Sequence, residues 1–139
     1  MSVEDNKATV RRMIEEVWNK GNLDVVDEVV TPEYVFRPPG QEFKGRDGLK
    51  QVVTMYRNAF PDLHLTIEDI IAEGDIVALT CAVQGTFKSE MMGIPPTGKE
   101  LNAKSAIFVR FKDGKEIEAE EFEDQLTVFR QLGIPVPSQ

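Results

Sequence analysis

Apolar residues recur at helical spacing in two stretches of the first half of the chain, with polar residues on the opposite side. The first apolar face consists of Val10, Met13, Ile14, Val17 and Trp18, and the second of Leu49, Val52, Val53, Tyr56 and Phe60. These patterns predict one helix that Gly21 ends and another over Arg46–Phe60 that Pro61 ends. Between them the sequence predicts a short helix over Asn22–Val30 and a short strand over Glu33–Arg37.

The second half of the chain alternates apolar and polar residues with the period of two that is typical of half-buried β-strands. The alternation predicts strands over Leu63–Ile71, Val77–Phe87, Leu101–Phe111 and Lys115–Glu121. Its phase breaks at Asp69, which indicates a bulge or a sharp bend. Asp113-Gly114 lies between the last two alternating runs and is a strong hairpin signal, so we expect an antiparallel meander.

Helices that precede a run of strands are typical of the α+β class. We therefore expect one domain over residues 1–139, in which a curved antiparallel sheet wraps around three N-terminal helices as a cone-shaped barrel. Such a cone would have a cavity at its mouth. Asp124–Leu132 is expected to form a last half-turn or helix that Gly133 stops, and the tail Ile134–Gln139 to be loose.

Composition removes several classes of function. The net charge of -8 argues against binding to nucleic acids and to anionic membrane surfaces, which both require basic residues. Cys81 is the single cysteine, so no internal disulfide is expected. The first residues lack the apolar core of a signal peptide, and no run reaches the roughly 18 apolar residues of a membrane helix. We expect a cytoplasmic protein with neither nucleic-acid nor membrane partners.

The last predicted strand carries the candidate chemistry. Alternation places Glu116, Glu118 and Glu120 on a solvated side, and Ile117, Ala119 and Glu121 on the apolar side. A carboxyl group on an apolar side would be buried, and burial raises its pKa toward the range of a general acid or base. The alternative is that the strand ends at Ala119 and that Glu121 lies in water.

Several short motifs resemble the SnoaL-like polyketide cyclase and ester cyclase family, over roughly Asn6 to Gly133. They are Phe60-Pro61-Asp62-Leu63-His64, Ala72-Glu73-Gly74-Asp75, Gly93-Ile94-Pro95-Pro96-Thr97-Gly98, Asp113-Gly114-Lys115 and Arg130-Gln131-Leu132-Gly133. The resemblance implies the nuclear-transport-factor-2-like α+β cone, no cofactor, and ring closure by intramolecular aldol condensation. It also implies an acid/base residue near the end of the last strand, where this chain has Glu121.

The chain departs from the family pattern at two places. Relatives often have a histidine at the position of Phe87, and a His-Trp-Asp run where this chain reads Ala119-Glu120-Glu121. Glutamate keeps the carboxyl group and adds a methylene, which moves the group by more than the roughly 0.5 Å tolerance of a preorganised site. The missing histidines also remove a natural hydrogen-bond partner for a substrate oxygen.

The sequence leaves two classes of function open. One is a cofactor-free cyclase or isomerase in which Glu121 moves protons on a small, apolar, carbonyl-bearing molecule, with Asp124 as a second acid candidate or simply a helix cap. The other is a binding or interaction protein of the same fold without chemistry. Plain core packing is the alternative for all of the candidate cavity walls except the two methionines. These candidates are Trp18, Tyr34, Phe36, Tyr56, Phe60, Phe87, Met91, Met92 and Phe108.

The outward side of the predicted sheet is partly apolar. Ala78, Ala82, Ala106 and Phe108 lie opposite the side that carries Leu79. A sheet with a partly apolar second face often packs on a partner, so we expect a homodimer through the sheet. The alternative is that Phe108 packs under the terminal helix.

Overall fold

The computed structural model describes residues 2–136, so the last three residues of the predicted loose tail lie outside the described range. The helices are α1 (Val3–Arg12), α2 (Val26–Val29), α3 (Gly45–Ala59) and α4 (Gln125–Leu132), with a π-helical segment at Met13–Trp18 and a 3-10 turn at Leu23–Val25. The strands are β1 (Val30–Arg37), β2 (Phe43–Lys44), β3 (His64–Glu73), β4 (Ile76–Thr86), β5 (Glu100–Lys112) and β6 (Lys115–Glu123).

The six strands form one curved sheet in the order β2-β1-β6-β5-β4-β3. The four long strands β3 to β6 are antiparallel, which confirms the predicted meander and the α+β class. Strand β1 lies parallel to β6, a pairing that the sequence analysis did not anticipate. The sheet remains open between β2 and β3, and α1 and α3 pack on its concave side.

Local chemistry explains where the first helix begins. Ser2 accepts a hydrogen bond from the backbone N–H of Asp5 at 3.0 Å, and the Asp5 carboxylate accepts one from the Ser2 N–H at 3.2 Å. This reciprocal capping box satisfies two N–H groups that a helix start leaves free. The helix continues through a wider π-helical turn, which ends with the bond from Asn19 N–H to the Ile14 carbonyl at 3.0 Å.

The second predicted helix is much shorter than expected. Asn22–Val30 resolves into the 3-10 turn and the single turn of α2, and Val30 already belongs to β1. The segment is rich in valine, whose branched side chain favours strands over helices. Pairing of Val30 with Glu116 of β6 supplies the tertiary contact that draws this residue into the sheet.

The predicted phase break in β3 is confirmed. The pairing of β3 with β4 shifts between Ile67 and Asp69, so that Glu68 is the extra residue of a bulge. The Thr80 hydroxyl donates to the Asp69 carboxylate across the strands at 3.0 Å. The bulge bends the strand and helps the sheet curve around the helices.

The two faces of the sheet differ in their exposure to water. The concave side carries the core, in which Val77, Leu79 and Cys81 of β4 are buried, as the alternation predicted. On the convex side Phe108 is 45% exposed and lies edge-on to Phe122, with ring centroids 6.1 Å apart. Phe108 is therefore not covered by α4. Among residues 2–136, no helix is long and apolar enough to cross a lipid bilayer.

Candidate active site

A cavity of about 370 Å³ lies between the concave side of the sheet and helices α1, α3 and α4. Its volume falls in the range of small-molecule sites in proteins. Aliphatic side chains, such as Val10, Ile14, Leu79, Ile107 and Val128, form much of its wall. The cavity is therefore mostly apolar, and the polar groups in its wall are few enough to consider individually.

Aromatic rings line one side of the cavity. Trp18 lies edge-on to Phe36 and to Tyr56, with ring centroids 5.9 and 6.2 Å apart, and Tyr34 is buried on the strand that carries Phe36. Of the residues predicted to bind a substrate, the structure places in the wall Trp18, Tyr34, Phe36, Tyr56, Phe60, Met91 and Met92. The role of these residues in binding remains a prediction. Phe108 does not line the cavity, contrary to expectation, because it lies on the convex side of the sheet.

Two loops border the cavity and contact one another. Pro38-Pro39-Gly40-Gln41 follows β1, and Met91–Ile94 lies in the loop between β4 and β5. The Gln41 side-chain amide donates to the Met92 sulfur at 3.6 Å. In the second loop, the Thr97 hydroxyl donates to the Leu132 carbonyl at 2.6 Å, which fixes the loop against α4. The Pro/Gly-rich motif of the sequence thus forms part of the rim of the cavity.

Phe87 and Asp124 do not line the cavity, contrary to their predicted positions. Phe87 is fully buried behind the wall and stacks on Phe60 with centroids 5.4 Å apart. The Asp124 carboxylate caps α4 by accepting bonds from the Thr127 N–H at 3.1 Å and the Thr127 hydroxyl at 2.7 Å. These bonds, the hydroxyl's first, lower the pKa of Asp124. The capping alternative therefore describes Asp124.

Glu121 lies in the cavity wall, on the side that the alternation predicted. It faces Ile107 across the β5–β6 pair and is half-buried. Removal from water raises the pKa of the Glu121 carboxyl to about 8, and the nearby Glu123 adds to the shift. A carboxyl group with this pKa exchanges protons near neutral pH, as a general acid or base must.

Glu116 is a second cavity carboxyl, and the sequence analysis wrongly placed it on the solvated side. It is 2% exposed, and burial raises its pKa to about 8. In the β5–β6 pair, Arg110 lies opposite Glu118, and the next residue, Phe111, lies opposite Glu116. Ile117 is therefore the extra residue of a bulge, although it was expected to face inward. The bulge reverses the alternation before Glu118 and turns Glu116 toward the core.

A signal for Glu116 was present in the hairpin. Strands that a two-residue Asp-Gly turn joins have a fixed register, and residues directly opposite each other share a face. Counting back from Asp113-Gly114 pairs Lys112 with Lys115 and then Phe111 with Glu116, as observed. Phe111 is an apolar, inward residue, so Glu116 had to lie on the inner side.

The cavity wall contains a third carboxyl group. Glu123 is half-buried opposite Ser105, and removal from water raises its pKa. In the described part of the chain, no Lys, Arg or His side chain lines the cavity. The pKa of the buried Tyr34 hydroxyl is raised by burial first and then by Glu116 and Glu121. The electrostatic character of the cavity is therefore acidic throughout.

Within residues 2–136, no three His, Cys, Asp or Glu side chains come together as metal ligands. The single histidine, His64, is exposed on β3.

Comparison with known proteins gives this site a context. The sequence model of the SnoaL-like polyketide cyclase family matches residues 8–132, which is most of the chain. The chain belongs to this family. The recognition from short motifs is thereby confirmed, and the matched region includes both Glu116 and Glu121.

Two relatives of similar sequence are ester cyclases. The chain is 31% identical over 135 residues to the aklanonic acid methyl ester cyclase DnrD of Streptomyces peucetius, covering 93% of this chain and 91% of the relative. It is 29% identical over 125 residues to the nogalonic acid methyl ester cyclase of Streptomyces nogalater, covering 86% and 92%. The similarity extends over nearly the full length of both proteins.

Solved structures of the family share the fold. A SnoaL-like protein from Jannaschia sp. CCS1 superposes with a TM-score of 0.87 at 26% identity, covering 96% of this chain and 94% of that one. IdmH from Streptomyces antibioticus superposes with a TM-score of 0.79 at 30% identity, covering 93% and 99%. The predicted nuclear-transport-factor-2-like architecture is confirmed.

Proposed function

We propose that this protein is a cofactor-free cyclase in which Glu121 transfers protons during an intramolecular aldol closure. The observation that carries the proposal is the position of the Glu121 carboxyl, which lies in an apolar cavity and has a pKa of about 8. The relatives that are methyl ester cyclases support a ring-closing reaction on a molecule of related chemistry.

The proposed reaction balances without any added reagent. Ionised Glu121 removes a proton from the carbon next to a carbonyl group of the substrate. The resulting enolate carbon forms a bond to a second carbonyl carbon of the same molecule, whose oxygen becomes an alkoxide. Glu121 then returns its proton to the alkoxide, so that substrate and product are isomers. With a pKa of about 8, roughly one tenth of Glu121 is ionised at pH 7 and the rest is protonated.

The acidic wall defines the charge of the substrate. A free carboxylate in the cavity would meet Glu116, Glu121 and Glu123 with no basic side chain among the described lining residues to pair with it. Each of these groups is either a like charge or, when protonated, a neutral partner, and neither offsets the cost of moving a carboxylate out of water. We therefore propose a neutral, carbonyl-bearing substrate in which any carboxyl group is esterified.

The first experiment measures turnover of two candidate substrates, aklanonic acid methyl ester and nogalonic acid methyl ester, alongside their free acids. Glu121→Gln keeps the size of the side chain and removes its ionisation, so it should lower the rate at least 100-fold, about what loss of a general base costs. The free acids should react more slowly than the esters. Glu120→Gln is the matched control, because Glu120 lies on the same strand but is exposed.

A Glu121→Gln variant that cyclises a methyl ester at the wild-type rate would refute the assigned role. Tight binding of the esters by the wild-type protein without any conversion would instead favour the second class of function, a binding protein of the same fold.

A further inference from the structure

Glu116 has no role in the reaction proposed for Glu121, and its position calls for a separate explanation. Strand β6 runs parallel to β1, and the loop that borders the cavity follows the end of β1. Glu116 pairs with Val30 at the beginning of β1, so it lies at the inner end of the cavity, away from this loop. Glu121 lies nearer the rim, about 15 Å further along the strand at the usual rise per residue.

The Glu116 carboxyl lacks the partners that buried polar groups usually have. Its Oε2 atom is buried and has no hydrogen-bond partner within residues 2–136. Buried polar atoms in folded proteins are nearly always hydrogen-bonded, because an unpaired one loses its interaction with water and gains nothing in return. Glu116 nevertheless lines the cavity. The missing partner is therefore expected among the molecules that enter the cavity.

The chemistry of the carboxyl group defines that partner. Isolated burial favours the neutral acid, which carries one O–H donor. A donor at the end of an apolar cavity is best satisfied by a carbonyl or phenol oxygen. Tyr34 lies close enough to both carboxyl groups for each to raise the pKa of its hydroxyl, so Glu116, Tyr34 and Glu121 share one polar side of the cavity.

We propose that Glu116 is a second ligand-binding group, which donates a hydrogen bond from its neutral carboxylic acid to an oxygen at the inner end of the ligand. The ligand class is an elongated molecule with an oxygen at the end remote from the reacting carbon. The inference rests on the proposed function in that the same cavity holds the substrate. It assigns Glu116 to the choice and orientation of the ligand, and Glu121 to the proton transfer.

The test uses two rigid tricyclic probes that differ in one oxygen, 9-fluorenone and its hydrocarbon counterpart fluorene. Equilibrium dialysis gives the affinity of each probe for the wild-type protein, Glu116→Leu, Glu116→Gln and the surface control Glu120→Gln. Trp18 is the single tryptophan and lines the cavity, so quenching of its fluorescence verifies that fluorenone occupies this cavity.

The wild-type protein and the surface control should prefer fluorenone to fluorene. Glu116→Leu should bind fluorenone roughly threefold to tenfold more weakly, as expected for loss of one hydrogen bond, and should bind fluorene unchanged. Glu116→Gln should keep most of the preference, because its amide N–H also donates. The infrared carbonyl stretch of bound fluorenone should lie lower in the wild-type protein than in Glu116→Leu.

Three results would overturn the inference. One is a wild-type protein that does not prefer fluorenone. Another is a Glu116→Leu variant that keeps the preference and the carbonyl frequency, as it would if water or packing alone satisfied Glu116. The third is an equal loss in Glu116→Gln and Glu116→Leu, which would exclude a neutral donor. The preference for fluorenone is a property of binding alone and involves no turnover, so failure of the proposed cyclase reaction would leave this result standing.

Discussion

The buried carboxyl of Glu116 predicts how the stability of the protein changes with pH. Glu116→Gln keeps the size of the side chain and removes its ionisation. In the folded wild-type protein the pKa of Glu116 is about 8, against an ordinary value of 4.5. A group whose pKa rises on folding contributes stability that is complete below its unfolded pKa and is lost as the pH rises through its folded pKa.

The size of the effect follows from the difference between these two values. Each pKa unit corresponds to about 1.4 kcal/mol, so the complete loss for Glu116 is on the order of 5 kcal/mol. Between pH 5 and pH 9 the wild-type protein should lose roughly 4 kcal/mol through this group, more than half of it below pH 7. That is a large part of the 5 to 15 kcal/mol by which a typical domain is stable.

Urea unfolding at pH 5, 7 and 9 measures this contribution. The free energy of unfolding of Glu116→Gln minus that of the wild-type protein should increase steadily with pH. A constant difference in hydrogen bonding between acid and amide shifts all three values equally and leaves the trend intact. Glu120→Gln, on the exposed side of the same strand, should show no comparable trend. A Glu116→Gln difference that stays constant from pH 5 to pH 9 would refute the reasoning.

Two further predictions concern the convex surface and the packing behind the cavity. We propose a homodimer through the convex face of the sheet, where Phe108 and Phe122 are exposed. Sedimentation at micromolar concentration should give the mass of two chains for the wild-type protein and the mass of one chain for Phe108→Glu. A wild-type mass of one chain would contradict the dimer. Gly85→Ala should destabilise the protein by about 1 to 3 kcal/mol, the usual effect of overpacking. The reason is that a Cβ atom at this position would lie 3.2 Å from Cβ and Cδ1 of Phe60. An unchanged midpoint of urea unfolding would contradict this prediction and show that the Phe60 side chain moves aside without cost.

The local periodicity of apolar residues was sufficient to predict most of the helices and strands. The helical faces and the alternating strands follow from spacing that is visible within a dozen residues, as does the bulge beside Asp69. The parallel pairing of β1 with β6 was not predictable in this way, because it joins segments that are separated by more than half of the chain. Only contact in the folded protein makes Val30 a strand residue.

The candidate site was predictable only in part, for a related reason. Glu121 lies beyond the bulge of β6 in the phase that simple alternation gives, while Glu116 lies before the bulge and has the opposite phase. The alternation of apolar and polar residues does not reveal an extra residue in a strand. The register of the Asp113-Gly114 hairpin does reveal it, because it fixes which residues lie opposite each other. Phe87 is apolar and Asp124 is acidic, as a wall residue and a catalytic acid would be. In the fold, however, Phe87 packs against Phe60 and Asp124 caps α4, so neither lines the cavity.

The parallel contact between β1 and β6 also determines when the cavity can form. Tyr34 and Phe36 are on β1, and Glu116 and Glu121 are on β6, with more than half of the chain between the two strands. Contacts between such distant segments slow folding, because a long loop must close before they stabilise anything. During synthesis β1 has only the two-residue strand β2 beside it until β6 has been made. The cavity therefore assembles late, and a chain cut before β6 would leave β1 as an exposed edge prone to aggregation.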